Sequence, residues 1–279
     1  MNILIPNPKN FEALKESIKD DGFDRLHILS DFDRTLTYGC IDGVKTPSII
    51  SLLRDGKHLS EEYAAKAHAL FDKYQPLEQD QSIPLEKRKK LMRDWWEEHH
   101  RLLIASGLSF SDLKDIVDNG HLAFREGVLD FLDFLHKGNI PLVIFSAAGG
   151  GDAIQLFFKK FDRDYSNIFY VINRFNWDEN GKALSTQEPL VHSLNKDETI
   201  LPQLPEIGDA IKDRKNVILL GDSLGDLGMI EGFEYDHLLK IGLLNSDYDQ
   251  SRSAYEKSFD VVLEGDGDFE FVNDLINSL

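Results

Sequence analysis

Two segments of this chain, LHILSDFD and NVILLGDS, run from continuous apolar residues straight into carboxylates, and that pattern restricts the folds open to it. A strand that is apolar at every position must be covered on both faces, as in a parallel sheet flanked by helices. A polar cluster at the end of such a strand lies at the sheet's carboxyl edge, where open α/β sheets hold their ligands. Strands are expected over residues 26–30, 140–146, 168–173, 217–221, 238–243 and 260–263. Helical patterns alternate with them, including residues 126–137, closed by Gly138, and a last helix over 269–276. The expected class is therefore α/β, a doubly wound parallel sheet.

Residues 46–121 read differently, with no convincing strand and three helical patterns. The clearest covers 84–106, with Pro84 suited to the first turn and Gly107 to the stop. Leu91, Met92, Trp95, Trp96, Leu102 and Leu103 are spaced to share one of its faces. The expected organisation is an α/β core over 1–45 and 122–279, interrupted after its first core strand by an all-helical cap over 46–121.

Charge narrows the partners. A net charge of −18 argues against a nucleic-acid polymer as the main partner, because phosphate-backbone binding needs a basic surface. A small phosphate ester is also an anion, so any site for one must supply positive potential locally, from a metal, a lysine and backbone N–H groups. Cys40 is the single cysteine, so no intrachain disulfide can form and a reducing compartment fits. The acidic start is unlike a secretory signal, and no apolar stretch approaches a membrane span. A cytoplasmic monomer with no membrane partner is expected.

Four polar clusters lie at or near predicted strand ends. In Asp31-Phe32-Asp33-Arg34-Thr35, two carboxylates can face one point if the backbone coils after the strand. One could then attack phosphorus while the other handles the leaving group's proton; alternatively, Asp33 or Thr35 caps a helix. In Ser146-Ala147-Ala148-Gly149-Gly150-Gly151-Asp152, small residues before a helix start suit a phosphate cradle, or simply a flexible glycine turn. Lys196 could neutralise a transferring phosphoryl group, though a lone lysine is ordinarily a surface residue. Gly221-Asp222-Ser223-Leu224-Gly225-Asp226 offers carboxylates for Mg²⁺, or a helix cap at Ser223 or Asp226.

In this order, Asp-x-Asp-x-Thr, Ser, Lys and Gly-Asp-x-x-x-Asp resemble the haloacid-dehalogenase superfamily of phosphohydrolases. The resemblance implies that superfamily's Rossmann-like fold and an aspartyl-phosphate intermediate. Asp31 would be the nucleophile, and Asp33 the acid that protonates the leaving oxygen and then activates water. Mg²⁺ would be held by Asp31, the backbone carbonyl of Asp33, and Asp222, with Asp226 and Thr35 supporting that set. Ser146, the Ala147 N–H and Lys196 would bind phosphoryl oxygens.

The resemblance extends to the cytosolic pyrimidine 5′-nucleotidases and their 7-methylguanosine-monophosphate-specific relatives. It is carried by SDFDRTLT, FDKYQPLEQD, REGVLDFLDFLHKGNIPLVIFSA, LVHSLNK, NVILLGDSLGDLGMIEG and LLKIGLLN. It implies hydrolysis of a nucleoside 5′-monophosphate, with Glu78 reading the base; a solvated loop acid is the plainer account of Glu78. Trp95-Trp96 and His99 are similar to the 7-methylguanylate branch and could flank a base, or the tryptophans could pack the cap. The chain departs from the family pattern in three places: an extra residue in SAAGGGD, Arg34 where an uncharged residue is common, and Thr186-Gln187-Glu188-Pro189 in place of a Gly-Lys-Gly step. The run Lys87-Arg88-Lys89-Lys90 reads as a solvated helix face. The alternative substrate class is another small phosphate ester, a sugar phosphate or a phosphoserine-like compound.

Overall fold

The all-apolar runs become central strands because both of their faces find a covering layer. In a computed structural model, described over residues 2–55, 58–197, 203–231 and 234–279, the chain order is as follows. Strand β1 (Asn2–Leu4) and helix α1 (Pro8–Asp21) precede β2 (Leu26–Asp31) and a small hairpin, β3 (Cys40–Ile41) with β4 (Val44–Lys45). Helices α2 (Ile49–Asp55), α3 (Glu61–Gln79), α4 (Leu85–Ala105), α5 (Phe110–Asn119) and α6 (Val128–Lys137) come next. Then follow β5 (Leu142–Phe145), α7 (Asp152–Lys160), β6 (Ile168–Val171) and a second hairpin, β7 (Phe175–Trp177) with β8 (Ala183–Thr186). The chain finishes with α8 (Pro205–Ile211), β9 (Asn216–Gly221), β10 (His237–Leu244), α9 (Tyr248–Ser258), β11 (Val261–Glu264) and α10 (Glu270–Ser278).

The main sheet has the order β1-β11-β10-β9-β2-β5-β6, parallel throughout except for β1, which pairs antiparallel with β11. Successive side chains on a strand point to opposite faces. On β2, Ile28 joins one core with α1, α6, α7 and α10, while Leu29 joins the other with α8 and α9. On β9, Ile218 and Leu220 take the first side and Val217 and Leu219 the second. This two-sided burial is the physical reason for the unbroken apolar runs. Strand order reverses at β2, with β5 on one flank and β9 on the other, and this switch point opens a crevice at their carboxyl ends.

Each expected strand is present, with ends shifted by no more than two residues. The N-terminal edge strand β1 and both hairpins were not foreseen, because pieces of two to four residues carry no readable period. Residues 46–121 hold four helices among the described residues, not three: α2 spans only seven residues, too few to display helical spacing. Gly56 and Lys57, in the same stretch, lie outside the described residues, as does Gly232 at the end of NVILLGDSLGDLGMIEG. Helices α3 and α4 pack together, α4 also meets β8, and α5 meets α7 beside the Ser146 loop. Among the described residues, no helix is long and apolar enough to cross a membrane.

Candidate active site

Asp31 is the last residue of β2 and is 5% exposed. Beyond it the backbone coils tightly: the Phe32 carbonyl accepts from the N–H groups of Thr35, Leu36 and Thr37 at 3.3, 3.1 and 3.4 Å. Arg34 sits in the left-handed region at φ 60°, and its N–H donates to Thr37 Oγ1 at 2.9 Å. The coil brings Asp31 and Asp33 to the wall of one cavity of about 280 Å³, although they are two residues apart on the chain. Thr35 Oγ1 donates to Asp31 Oδ2 at 3.3 Å.

A residue with no assigned role in the sequence holds this coil from below. Arg125 is 1% exposed, and its guanidinium donates to the Thr35, Arg34 and Gly267 carbonyls at 2.9, 2.7 and 2.7 Å. It also bonds Asn245 Oδ1 at 2.7 Å and Asp266 at 2.9 Å, so a charge removed from water keeps partners for its donors. Its position directly before the α6 segment disguised it as the polar start of a helix.

Lys196 is 8% exposed, and its ammonium reaches Asp31 Oδ1 at 2.5 Å and Asp226 Oδ1 at 3.1 Å. It does not follow a strand of the main sheet, contrary to the expected pattern. It arrives on an irregular segment stapled by Asn195, whose side chain accepts from His192 N at 2.7 Å and donates to the Leu190 carbonyl at 2.9 Å. Asp226 uses its other oxygen to cap the short helix Leu224–Ile230, accepting from Ser223 N and Oγ at 3.0 and 2.9 Å. Gly221 permits this approach, since a Cβ there would fall 2.6 Å from the Asp226 Cβ. Asp226 thus caps that helix with one oxygen and pairs with Lys196 through the other.

Carboxylate oxygens of Asp31, Asp222 and Asp226 lie within 4.8 Å of one another. Burial, reinforced by Asp226, Asp222 and Asp33, pushes the Asp31 carboxyl well above the usual range against the pull of Lys196. Burial and Asp226 likewise push Asp222 up to about 7. Burial opposes the charge on Lys196, but Asp226 and Asp31 outweigh it and hold the ammonium protonated. One ammonium thus faces more negative charge than it can neutralise. An all-oxygen donor set with surplus charge suits a hard divalent cation. Asp33 is pushed up to about 6, chiefly by burial, so it can carry a proton near neutrality.

Ser146 follows β5 and lines the same cavity with Ala147, and its Oγ accepts from Ala148 N at 3.1 Å. The longer glycine run is not an open cradle throughout: a Cβ on Gly149 would lie 2.5 Å from the Trp96 ring, so glycine is required for α4 to sit so close. Asn173, also unassigned from sequence, ties this loop to the segment bearing Lys196. It donates to the Ala148 and Val191 carbonyls at 3.2 and 2.8 Å and accepts from Val191 N at 2.8 Å.

A second cavity of about 190 Å³ adjoins the first, and Ser48, Ile50, Trp96 and Ala147 line both. Glu78, Trp95 and His99 line the second, so the candidate base-side residues converge. Ser193 donates to Glu78 Oε1, a contact with no counterpart in the sequence reading. The rings of Tyr74, Trp95, Trp96 and His99 stack in series, with successive centroids 5.8 Å apart. Trp95 is sandwiched inside this ladder and also packs the helical core, whereas Trp96 faces both cavities. His99 is bonded to Tyr63 Oη at 3.1 Å, and burial lowers its pKa to about 4, which keeps it neutral. The basic run on α4 is not all solvated: Lys89 pairs with Asp197 at 3.0 Å and Arg88 bonds the Glu78 carbonyl at 3.2 Å, leaving Lys87 and Lys90 exposed.

Known proteins carry the same organisation. The family described as Pyrimidine 5′-nucleotidase (UMPH-1) matches residues 34–279. The 7-methylguanosine phosphate-specific 5′-nucleotidase of Gallus gallus is 33% identical over 98% of this chain and 94% of its own length. The Homo sapiens enzyme of that name is 32% identical over 99% and 92%. The crystal structure of cytosolic 5′-nucleotidase IIIB bound to cytidine superposes with a TM-score of 0.87 at 26% identity, covering 99% of this chain and 93% of that one. A substrate-bound phosphoserine phosphatase, at 15% identity and a TM-score of 0.51 over 91% and 98%, shares the fold alone. The carboxylates gathered at a strand switch point therefore stand on a haloacid-dehalogenase-type phosphatase fold, and the chain belongs to the pyrimidine 5′-nucleotidase (UMPH-1) family of phosphoric monoester hydrolases.

Proposed function

We propose that this protein hydrolyses nucleoside 5′-monophosphates, a pyrimidine nucleotide such as CMP or UMP or else 7-methyl-GMP, to nucleoside and phosphate. The observation that carries the proposal is the continuity of two unlike cavities. One holds Asp31, Asp33 and Lys196, the other is walled by Trp95, Trp96 and Glu78, and Ser48, Ile50, Trp96 and Ala147 belong to both. A phosphate in the first places its esterified nucleoside in the second.

In this reading an Asp31 carboxylate oxygen forms a bond to phosphorus in line with the departing 5′ oxygen. Asp33 delivers its proton to that oxygen as the P–O bond breaks, which releases the nucleoside. Asp33 then takes a proton from water, whose oxygen attacks phosphorus and restores the Asp31 carboxylate. Lys196, the Ser146 hydroxyl and the Ala147 N–H hold the phosphoryl oxygens, and Thr35 steadies Asp31. Mg²⁺, bound by Asp31, the Asp33 carbonyl and Asp222, would supply neutralising charge where phosphoryl transfer most requires it. Asp226 supports that set by positioning Lys196.

We further take residues 46–121 as a cap over the core formed by 1–45 and 122–279, with Glu78 reading the edge of the base and Trp96 stacking on its face. Glu78 is set for this by Ser193, which occupies one carboxylate oxygen and leaves the other to accept from an exocyclic amine. The test is Mg²⁺-dependent phosphate release from CMP, UMP, 7-methyl-GMP, AMP and ribose 5-phosphate. A strong preference for one of the first three supports the proposal; equal turnover of ribose 5-phosphate would sink the base-reading half of it.

A further inference from the structure

We propose that Arg34 is a catalytic residue of this site, its guanidinium taking a phosphoryl oxygen of the bound substrate as a second fixed cation beside Lys196. The assignment rests on the phosphatase reading above and adds a substrate contact to it.

Arg34 is anchored through its backbone, not its side chain. Its N–H donates to Thr37 Oγ1 at 2.9 Å, and its carbonyl accepts from Arg125 at 2.7 Å and Asn245 Nδ2 at 2.9 Å. These bonds hold the residue at φ 60°, a conformation most side chains avoid. Arg34 is half-buried, and its guanidinium, with five donors, makes no hydrogen bond or ion pair with the described residues. An arginine in such surroundings is ordinarily paired, so its partner is expected to arrive from outside the chain.

Its location identifies that partner. Arg34 lines the cavity of Asp31, Ser146 and Lys196 and also an adjoining polar cavity of about 560 Å³, with Asp222 and Ser223 shared between them. It therefore stands at the junction of these two cavities and does not line the base-side one. The cavity presents Asp31, Asp33, Asp222 and Asp226 against a single ammonium, in a chain of net charge −18. Lys196 and a bound Mg²⁺ would at most balance those carboxylates, so a phosphate dianion still calls for a further cation, and a planar fork of donors matches phosphate oxygens in pairs where a lysine would offer a point charge.

Arg34→Met removes the charge, and Arg34→Lys keeps it without the fork. Thermal unfolding of both should match the parent, because the bonds that fix the coil belong to the backbone. With saturating Mg²⁺, calorimetric titration with inorganic phosphate should show Arg34→Met binding about tenfold more weakly, the loss of one charge-assisted bidentate contact. KM for the preferred nucleotide should rise by a similar factor, and Arg34→Lys should recover part of both. Parental phosphate affinity in Arg34→Met overturns the assignment, and so does a variant whose Mg²⁺ affinity alone changes. Should Arg34→Met fail to fold, Arg34→Lys and Arg34→Gln must still differ in phosphate affinity, and equality between them overturns it too. Asp31→Asn separates this inference from its foundation. If that variant still turns over, the phosphatase reading fails; if it is inactive while Arg34→Met behaves as the parent, only the Arg34 assignment fails.

Discussion

The two adjoining cavities are built by different means. The one around Asp31, the proposed catalytic cavity, is assembled from the ends of three neighbouring strands, β9, β2 and β5, where Asp222, Asp31 and Ser146 leave the sheet side by side. Their spacing is set by main-chain hydrogen bonding, and Arg125 and Asn173 lock the loops from behind. The base-side cavity is lined by helix faces and a loop: Glu78 from α3, Trp95, Trp96 and His99 from α4, and Ser193 from the segment before Lys196. Its shape depends on how helices rest on the core. A sheet edge fixes charges to fractions of an ångström for chemistry, while a packed helical wall can alter its side chains to suit another base without disturbing them.

Substitutions on the two sides should therefore fail differently. Asp31→Asn should reduce phosphate release to background for every substrate, ribose 5-phosphate included. Trp96→Ala should cost about 1–3 kcal/mol of nucleotide affinity, roughly 5- to 150-fold in KM, and leave ribose 5-phosphate turnover alone. If both variants lost the two substrates in equal proportion, the division between the cavities would be wrong.

Lys196→Met sharpens the comparison through stability. It leaves Asp31 and Asp226 buried without their shared counter-charge, a change that costs about 3–5 kcal/mol. The urea midpoint should fall accordingly, and further as pH rises and the acids ionise. An unchanged midpoint at neutral pH would mean that the cluster does not depend on this ammonium.

The smallest expected effect is on pH. Asp33, at about 6, and Asp222, at about 7, have pKa values above the ordinary 3.8, so the folded state binds extra protons from about pH 4 to 7 and loses stability as pH rises through that window. The buried His27, His99 and His192, lowered to about 4 by burial, act in the opposite sense, so a raw pH profile mixes the two. The difference in Tm with Mg²⁺ and with EDTA isolates the acids. It should widen by a few degrees from about pH 5 to pH 8, and a gap independent of pH would show that the cation does not answer these charges. His99, neutral across that range, should add no pH dependence of its own to base selectivity, so the pH profile of the ratio of CMP to UMP turnover should be the same in His99→Gln as in the parent.

The carboxylates of the Asp31 cavity were legible in the sequence because their signals are local. A buried strand that ends on an acid writes both its position and its chemistry into a few consecutive letters, as at Asp31 and Asp222. Lys196 was legible only through family resemblance, since its segment follows no strand of the sheet and its partners are 165 and 30 residues away. Glu78, Trp95 and His99 were named from the same resemblance, but their neighbours were not. Ser193 meets Glu78 across 115 residues, and nothing in the letters around either announces the other.

What the sequence alone determined was the two-faced burial of the strands, the carboxylates at their ends and the local positive charge that an acidic chain must gather for a phosphate. Period and adjacency carry that information along the chain. Only the tertiary structure decided that Arg125 and Asn173 hold the loops after β2 and β5, that Gly149 must be small to admit Trp96, and that the aromatic ladder opens into the Asp31 cavity. The arginine in SDFDRTLT likewise changed from an odd letter into a cation on the cavity wall whose side chain has no ion-pair partner among the described residues. Those facts are contacts between distant segments, and a contact exists only once the chain has closed on itself.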